Sequence, residues 1–158
     1  MPHLFLCYSR KDGDHVDRLL THLRPVAKRH GLDVFIDVQS IRTGDRWEPA
    51  LNAALDASRL LVVAVSPGSL DSDWCPGEWT RAGRRGVPIL PLALRSAWLP
   101  RDHALAALQF ANKDAPLVVD ERFDDERAAA AMARVDASLT AIKDRDAVTP
   151  PADAPPPA

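Results

Sequence analysis

Glu78 is the carboxylate in this chain best placed for chemistry. It closes the stretch Ser66-Pro-Gly-Ser-Leu-Asp-Ser-Asp-Trp-Cys-Pro-Gly-Glu78, which follows the most apolar run of the sequence, residues 60–65. A buried strand that ends in a turn-rich crossing and hands one carboxylate to the first turn of a helix is the layout of a site at the carboxyl edge of an α/β sheet. The helix macrodipole favours the ionised form there, so Glu78 is expected to be an anion at neutral pH. An anion with no acid beside it accepts hydrogen bonds from sugar hydroxyls and stabilises a developing oxocarbenium, provided the leaving group departs without needing a proton. Nicotinamide leaving NAD meets that condition, because the pyridinium departs as a neutral base. The bland alternative is a glutamate that only complements the helix dipole.

Trp74 lies four residues before Glu78, so in a helix that starts early the two share a face, and the ring can stack on a purine or nicotinamide. Trp47, which opens the helix after a long polar loop, has the same use; for both, burial in a core or interface is the competing reading. Trp79 and Trp98 read as structural or interfacial. The hydroxyls and amides of Ser66-Pro-Gly-Ser69 can meet a phosphate or ribose. The chain has no GxxxxGK, no GxGxxG and no GxSxG, which argues against a P-loop NTPase, a Rossmann dehydrogenase and an α/β-hydrolase. His15, His22 and His30 fall along one helix and are expected to be solvated.

The elements that must position Glu78 follow from apolar periodicity. Residues 4–8 form a compact apolar run suited to a central parallel strand. Asp12-Gly13-Asp14 can cap a helix whose apolar face is Val16, Leu19, Leu20, Leu23 and Val26, ending near His30-Gly31, with Pro25 set to kink or shorten it. Residues 32–36 are the second strand, and the polar stretch 37–46 exceeds the usual βα turn, a length that signals function or a lid. Trp47, Leu51, Ala54 and Leu55 recur at helical spacing before the third strand, 60–65. Residues 78–85 form a short basic helix closed by Gly86, 87–94 a fourth strand punctuated by Pro88 and Pro91, and 117–119 a fifth. The segment 96–115 carries no clear pattern, and 124–142 is an alanine-rich last helix. The class is α/β: a flavodoxin-like, doubly wound, five-stranded parallel sheet in the order 2-1-3-4-5 with helices on both faces. That order sets Tyr8-Ser9 beside the 66–78 crossing at the topological switch point.

Bulk properties bound the answer. A chain of 158 residues and 17.3 kDa with 46% hydrophobic and 27% charged residues is an ordinary globular domain. A net charge of -2 weighs against nucleic-acid binding, and no run reaches the roughly 20 apolar residues that span a bilayer. The N-terminus lacks a basic leader, and Cys7 and Cys75, without a CxxC or Cys/His cluster, suit a reduced cytoplasmic protein with no structural metal. Sixteen Arg against four Lys, with abundant Ala, hints at a GC-rich bacterial source.

Phe5-Leu-Cys-Tyr-Ser-Arg-Lys-Asp12, then Val34-Phe-Ile-Asp37 with Gly44 and Trp47 downstream, then Val65 through Glu78, resemble in order and spacing a TIR domain, over about residues 3–142. Pro88-Ile-Leu-Pro91 also resembles that family's fourth strand. The resemblance implies a domain that works by assembling, in bacterial members often cleaving NAD to nicotinamide and ADP-ribose or a cyclic isomer. It implies that Glu78 is catalytic and that Trp74 is the aromatic that stacks on the ligand. Tyr8, Ser9 and Arg10 would form the first-strand edge of the pocket, with Asp37, Trp47 and Ser66 further contacts. The second βα loop, containing Ile41-Arg42-Thr43-Gly44-Asp45-Arg46, would be the BB loop that docks on a neighbour, carrying Arg42-Thr43-Gly44 where the family commonly has proline-glycine.

NAD is then a substrate, and no cofactor is expected. The expected division is a TIR domain at 1–145 and a proline-rich linker at 146–158 leading to a sensor or oligomerisation domain. The expected role is an assembly-dependent NAD glycohydrolase of bacterial antiviral immunity. Its rivals are a non-enzymatic TIR adaptor or decoy of host signalling and, more remotely, a nucleoside 2-deoxyribosyltransferase-like enzyme.

Overall fold

The computed structural model of the protein describes residues 3–36, 47–72 and 75–148. Asp37, the loop from Ile41 to Arg46, Trp74 and the proline-rich residues from 149 onward lie outside them, as does the side chain of Trp47.

The apolar runs become strands β1 (His3–Cys7), β2 (Asp33–Ile36), β3 (Ser58–Val65) and β4 (Ile89–Ala93). They pair parallel in the order β2-β1-β3-β4, the expected switch-point arrangement. Between them run α1 (Gly13–Arg29), α2 (Trp47–Asp56), the single turn α3 (Pro67–Leu70) and α4 (Cys75–Arg85), and α5 (Asp125–Val148) follows the sheet. Strand alternation divides the core in two. Leu4, Leu6, Leu60, Val62 and Ala64 pack on one face with the apolar stripes of α1 and α5, while Phe5, Cys7, Leu61, Val63 and Val65 pack on the other with Leu51, Leu55, Cys75, Trp79 and Ala82. Among the described residues no helix is long and apolar enough to cross a membrane.

Helix α1 keeps its expected apolar face and runs through Pro25 to Arg29. α4 ends where Gly86 takes a φ of +72° and Val87 N–H donates to the Ala82 carbonyl at 2.9 Å, a cap that glycine makes at little steric cost. α5 continues to Val148, beyond the expected end at 142.

The expected fifth strand departs from the pattern. Residues Val118–Val119 form β5, which pairs antiparallel with β6 (Arg122–Phe123) rather than extending the parallel ladder. The outer edge of β4 is met by irregular backbone. Leu117 N–H and Val118 N–H donate to the carbonyls of Ala93 and Leu94, and Ala111 N–H donates to Pro91. The Asn112 side chain completes this edge, accepting from Ala93 N–H at 2.8 Å and donating to Ala93 and Ala115 carbonyls at 2.9 Å. A side-chain amide standing in for a peptide group satisfies the edge without a strand, and Pro116 has no N–H to continue one.

The histidines of α1 correct a second expectation. They are half-buried and face carboxylates: His22 Nε2 lies 2.8 Å from Asp125, His30 Nε2, at the C-cap, 2.7 Å from Asp136 and His15 Nε2 4.0 Å from Glu121. Arg18 adds a bidentate pair to Asp125 at 3.0 and 2.7 Å, clamping α1 to the first turn of α5. The Arg18 hydrogen bond, and then that of His22, hold the Asp125 carboxyl at about 2, below its ordinary 3.8. A carboxyl lowered by folding contributes stability that is full above its ordinary value and is lost as pH falls toward the folded one. Acid unfolding followed between pH 4 and 2 is therefore expected to be shallower in Asp125→Asn than in the wild type. Equal slopes would show that this clamp adds no pH-dependent stability.

Candidate functional site

Three strands deliver their carboxyl ends to one edge. β1 ends at Cys7, β3 at Val65 and β4 at Ala93, and α4 starts at that edge with Cys75. Cys75 N–H reaches the Ser72 Oγ at 3.4 Å, and Pro76 follows as the second helical residue, where a missing N–H costs nothing. α4 thus begins three residues ahead of the expected start, and Glu78 falls in its first turn. The carboxylate enjoys the positive end of the helix yet is 5% exposed, so it is held inside the edge rather than displayed on it.

Glu78 shares this interior with two thiols. Cys7 Sγ, Cys75 Sγ and a Glu78 carboxylate oxygen all lie within 4.8 Å of one another, and all three residues are buried. Burial, then the hydrogen bond to Cys75 and the charge of Glu78, push the Cys7 thiol well above its ordinary pKa. Cys7 is therefore a neutral thiol beside the carboxylate. Spacing along the chain gives no hint of this cluster, because β1 and α4 are joined only by the fold.

At the same edge a polar network ties the three strand ends together. Ser66 Oγ donates to Asp12 Oδ2 at 2.5 Å, Arg95 Nε donates to Asp12 Oδ1 at 3.2 Å, and Arg95 also forms a bidentate pair with Glu121 at 2.7 and 3.1 Å. Asp12 follows β1, Ser66 follows β3 and Arg95 follows β4. Asp12 was expected among the caps of α1; it stands at the N-cap position but makes no side-chain capping bond, its carboxylate being taken by Ser66 and Arg95. Glu121 sits in a two-residue turn with Asp120, at φ of 63° and 50°, the backbone of a tight hairpin.

The expected site residues divide accordingly. Ser66 is fully buried, and its hydroxyl is engaged inside the protein, donating to Asp12 while accepting Ser69 N–H at 3.1 Å as the cap of α3. Ser9 is 7% exposed and caps the 3-10 turn Arg10–Asp12, accepting from Lys11 N–H at 3.2 Å, while Arg10 is exposed on that turn. Tyr8 packs against the core on the α1 and α5 side, the opposite face from Cys7. Trp79 is buried edge-on to His103, with ring centroids 5.7 Å apart, and Trp98 is exposed. Arg95, Trp98, Arg101, Phe110 and Lys113 line a cavity of about 390 Å³ at the ends of β3 and β4 that does not include Glu78.

Close approach fixes Gly68. A Cβ there would stand 2.8 Å from Ser9 Oγ and 3.1 Å from Ser9 Cβ, so α3 and the turn after β1 meet where only hydrogen fits. Gly68→Ala is expected to swing Ser9 off Lys11 N–H and to cost about 1 kcal/mol, seen as a lowered thermal midpoint. An unchanged midpoint would show that Ser9 yields freely.

The TIR domain family model matches residues 4–135. Among solved structures, the TIR domain of the Toll-related receptor TRR-2 from Hydra magnipapillata superposes with a TM-score of 0.57 at 18% identity, covering 70% of this chain and 82% of that one. The TIR domains of the activated Roq1 resistosome, which recognises the pathogen effector XopQ, give 0.49 at 20% identity over 92% and 97%. The first likeness is one of fold, and it agrees with the strand order and switch-point edge described above. With the family's model spanning most of the sequence from β1 into α5, the chain belongs to the TIR domain family.

Proposed function

We propose that this TIR domain is an NAD glycohydrolase whose site is completed by self-assembly and whose catalytic residue is Glu78. The observation that carries the reading is a buried carboxylate in the first turn of α4, at the switch-point edge of a parallel sheet. There the bond between the ribose anomeric carbon and the nicotinamide nitrogen breaks, its electron pair leaving with neutral nicotinamide. Glu78 holds the ribose hydroxyls and offsets the oxocarbenium charge, water adds to the anomeric carbon, and one proton is released. The products are nicotinamide and ADP-ribose, or a cyclic isomer when the adenine intercepts the cation in place of water.

Trp74 or Trp47 stacks on the substrate, and Ser9 and Arg10, with Tyr8 behind them, border its entry from β1. Asp37 and the BB loop, Ile41 to Arg46, complete the pocket across a contact between two copies. Orienting that loop is the switch, because a reaction that depends on positioning is silent until the positioning partner arrives. Ser66 serves by fixing Asp12 and the edge. The setting is a cytoplasmic effector of bacterial antiviral immunity, clustered by a domain beyond the proline-rich residues. Nicotinamide release by wild type and Glu78→Gln, with the domain dilute and clustered, tests this. Release by clustered wild type alone supports it. No release from either assigns the chain to non-enzymatic TIR modules.

A further inference from the structure

We propose that Cys7, Cys75 and Glu78 form a binding site for a thiophilic divalent cation, with Zn²⁺ the natural chemistry, and that a cation held there inhibits the domain. The inhibitory part rests on the reading of Glu78 as catalytic; the binding part does not.

Two cysteine sulfurs and a carboxylate oxygen are ordinary zinc ligands, at about 2.3 Å for sulfur and about 2.0–2.2 Å for oxygen. Around a tetrahedral ion such ligands stand roughly 3.5–3.8 Å apart. The three atoms here already lie within 4.8 Å of one another, so closure draws any pair together by at most about 1.3 Å. Cys7 is 0% exposed, Cys75 1% and Glu78 5%, so the ligands are packed in place, with Glu78 the most exposed.

Cys7 ends β1, an interior strand of the sheet, and is paired with Val63 of β3, while Cys75 and Glu78 are spaced one helical turn apart on α4, i and i+3. Binding is balanced by loss of two thiol protons to solvent, leaving two thiolates and one carboxylate around the dication and a fourth position for water. The neutral state of Cys7 in the metal-free protein is compatible with this, because a coordinated thiol is deprotonated by the ion itself. With the carboxylate engaged by the ion, Glu78 no longer faces a ribose, and the proposed reaction stops.

The test is titration of Co²⁺ into the reduced, chelator-stripped chain. One equivalent is expected to produce the near-ultraviolet thiolate-to-cobalt band and the intense visible bands of a tetrahedral ion, with Zn²⁺ displacing both. Cys7→Ser and Cys75→Ser are each expected to weaken binding by at least about tenfold, a loss that removal of even an outer-shell partner causes. Glu78→Gln is expected to keep the thiolate band but bind more weakly. Each variant is first matched to wild type by circular dichroism without metal, and alanine replaces serine where serine disturbs the fold. Absence of the thiolate band in wild type, or a band unchanged in both cysteine variants, overturns the site. In a parallel assay Zn²⁺ is expected to suppress NAD turnover reversibly, and turnover unaffected by saturating Zn²⁺ overturns the inhibitory role. Because the cobalt spectrum needs no turnover, a domain inactive on NAD that shows the band loses the proposed function and keeps the site.

Discussion

Glu78→Gln is expected to lower NAD turnover by about three orders of magnitude while the domain stays folded and still self-associates. The figure follows from electrostatics. A full negative charge about 4 Å from a developing cation contributes about 4 kcal/mol at the effective dielectric of a partly buried site, and about 1.4 kcal/mol is a factor of ten in rate. Glutamine keeps the size and can still hydrogen-bond a hydroxyl, so it removes the charge selectively. Glu78 is 5% exposed, and a neutral amide is less costly to bury than a carboxylate while losing its favourable place at the helix N-terminus, so the thermal midpoint is expected to stay close to that of wild type. The variant therefore separates catalysis from folding. Turnover within tenfold of wild type would reduce Glu78 to a residue that complements the helix dipole.

Asp12→Ala carries the largest expected loss of stability. The carboxylate is 4% exposed and receives both the Ser66 hydroxyl and the Arg95 guanidinium. Its removal strips a fully buried hydroxyl of its acceptor and leaves Arg95 with Glu121 alone. Breaking a buried pair by deleting one partner costs about 3–5 kcal/mol, and the partial exposure of Arg95 lowers that to about 2–3 kcal/mol here. The thermal midpoint should then fall by roughly 5–10 °C. Asp12→Asn keeps an acceptor for Ser66 and is expected to fall between alanine and wild type. A fall of less than about 2 °C in Asp12→Ala would mean that the strand ends are held by apolar packing alone. Because the same residues tie the ends of β1, β3 and β4, the loss is also expected to loosen the edge that carries Glu78.

What was legible in the sequence was whatever depends on neighbours along the chain. The run 60–65 is buried throughout, as an unbroken apolar strand covered on both faces must be, and Val16, Leu19, Leu20, Leu23 and Val26 line one side of α1 as their spacing requires. Those two patterns lead to the sheet order and to the edge where Glu78 lies. The features that escaped are non-local. Asp12 looks like a cap until Arg95 arrives from the far side of the sheet, and His22 looks solvated until α5 supplies Asp125. Cys7 reads as one more apolar core position in β1, and only the docking of α4 turns it into a neighbour of Cys75 and Glu78. The fifth strand failed for a different reason: Asn112 satisfies the edge of β4 through its side chain, a substitution that apolar periodicity does not register. The loop 37–46 and Trp74 lie outside the described residues, so their expected part in the pocket stands as a proposal.

The most direct test is the rate of NAD loss per domain measured across a wide range of protein concentration, for wild type beside Glu78→Gln, with products separated. A wild-type rate per domain that rises with concentration is expected, with nicotinamide formed in equal amount to the NAD lost and about a thousandfold less of both in the variant. NAD that stays intact even when wild-type domains are forced together would contradict it, and the buried glutamate would then belong to a module that signals by contact alone.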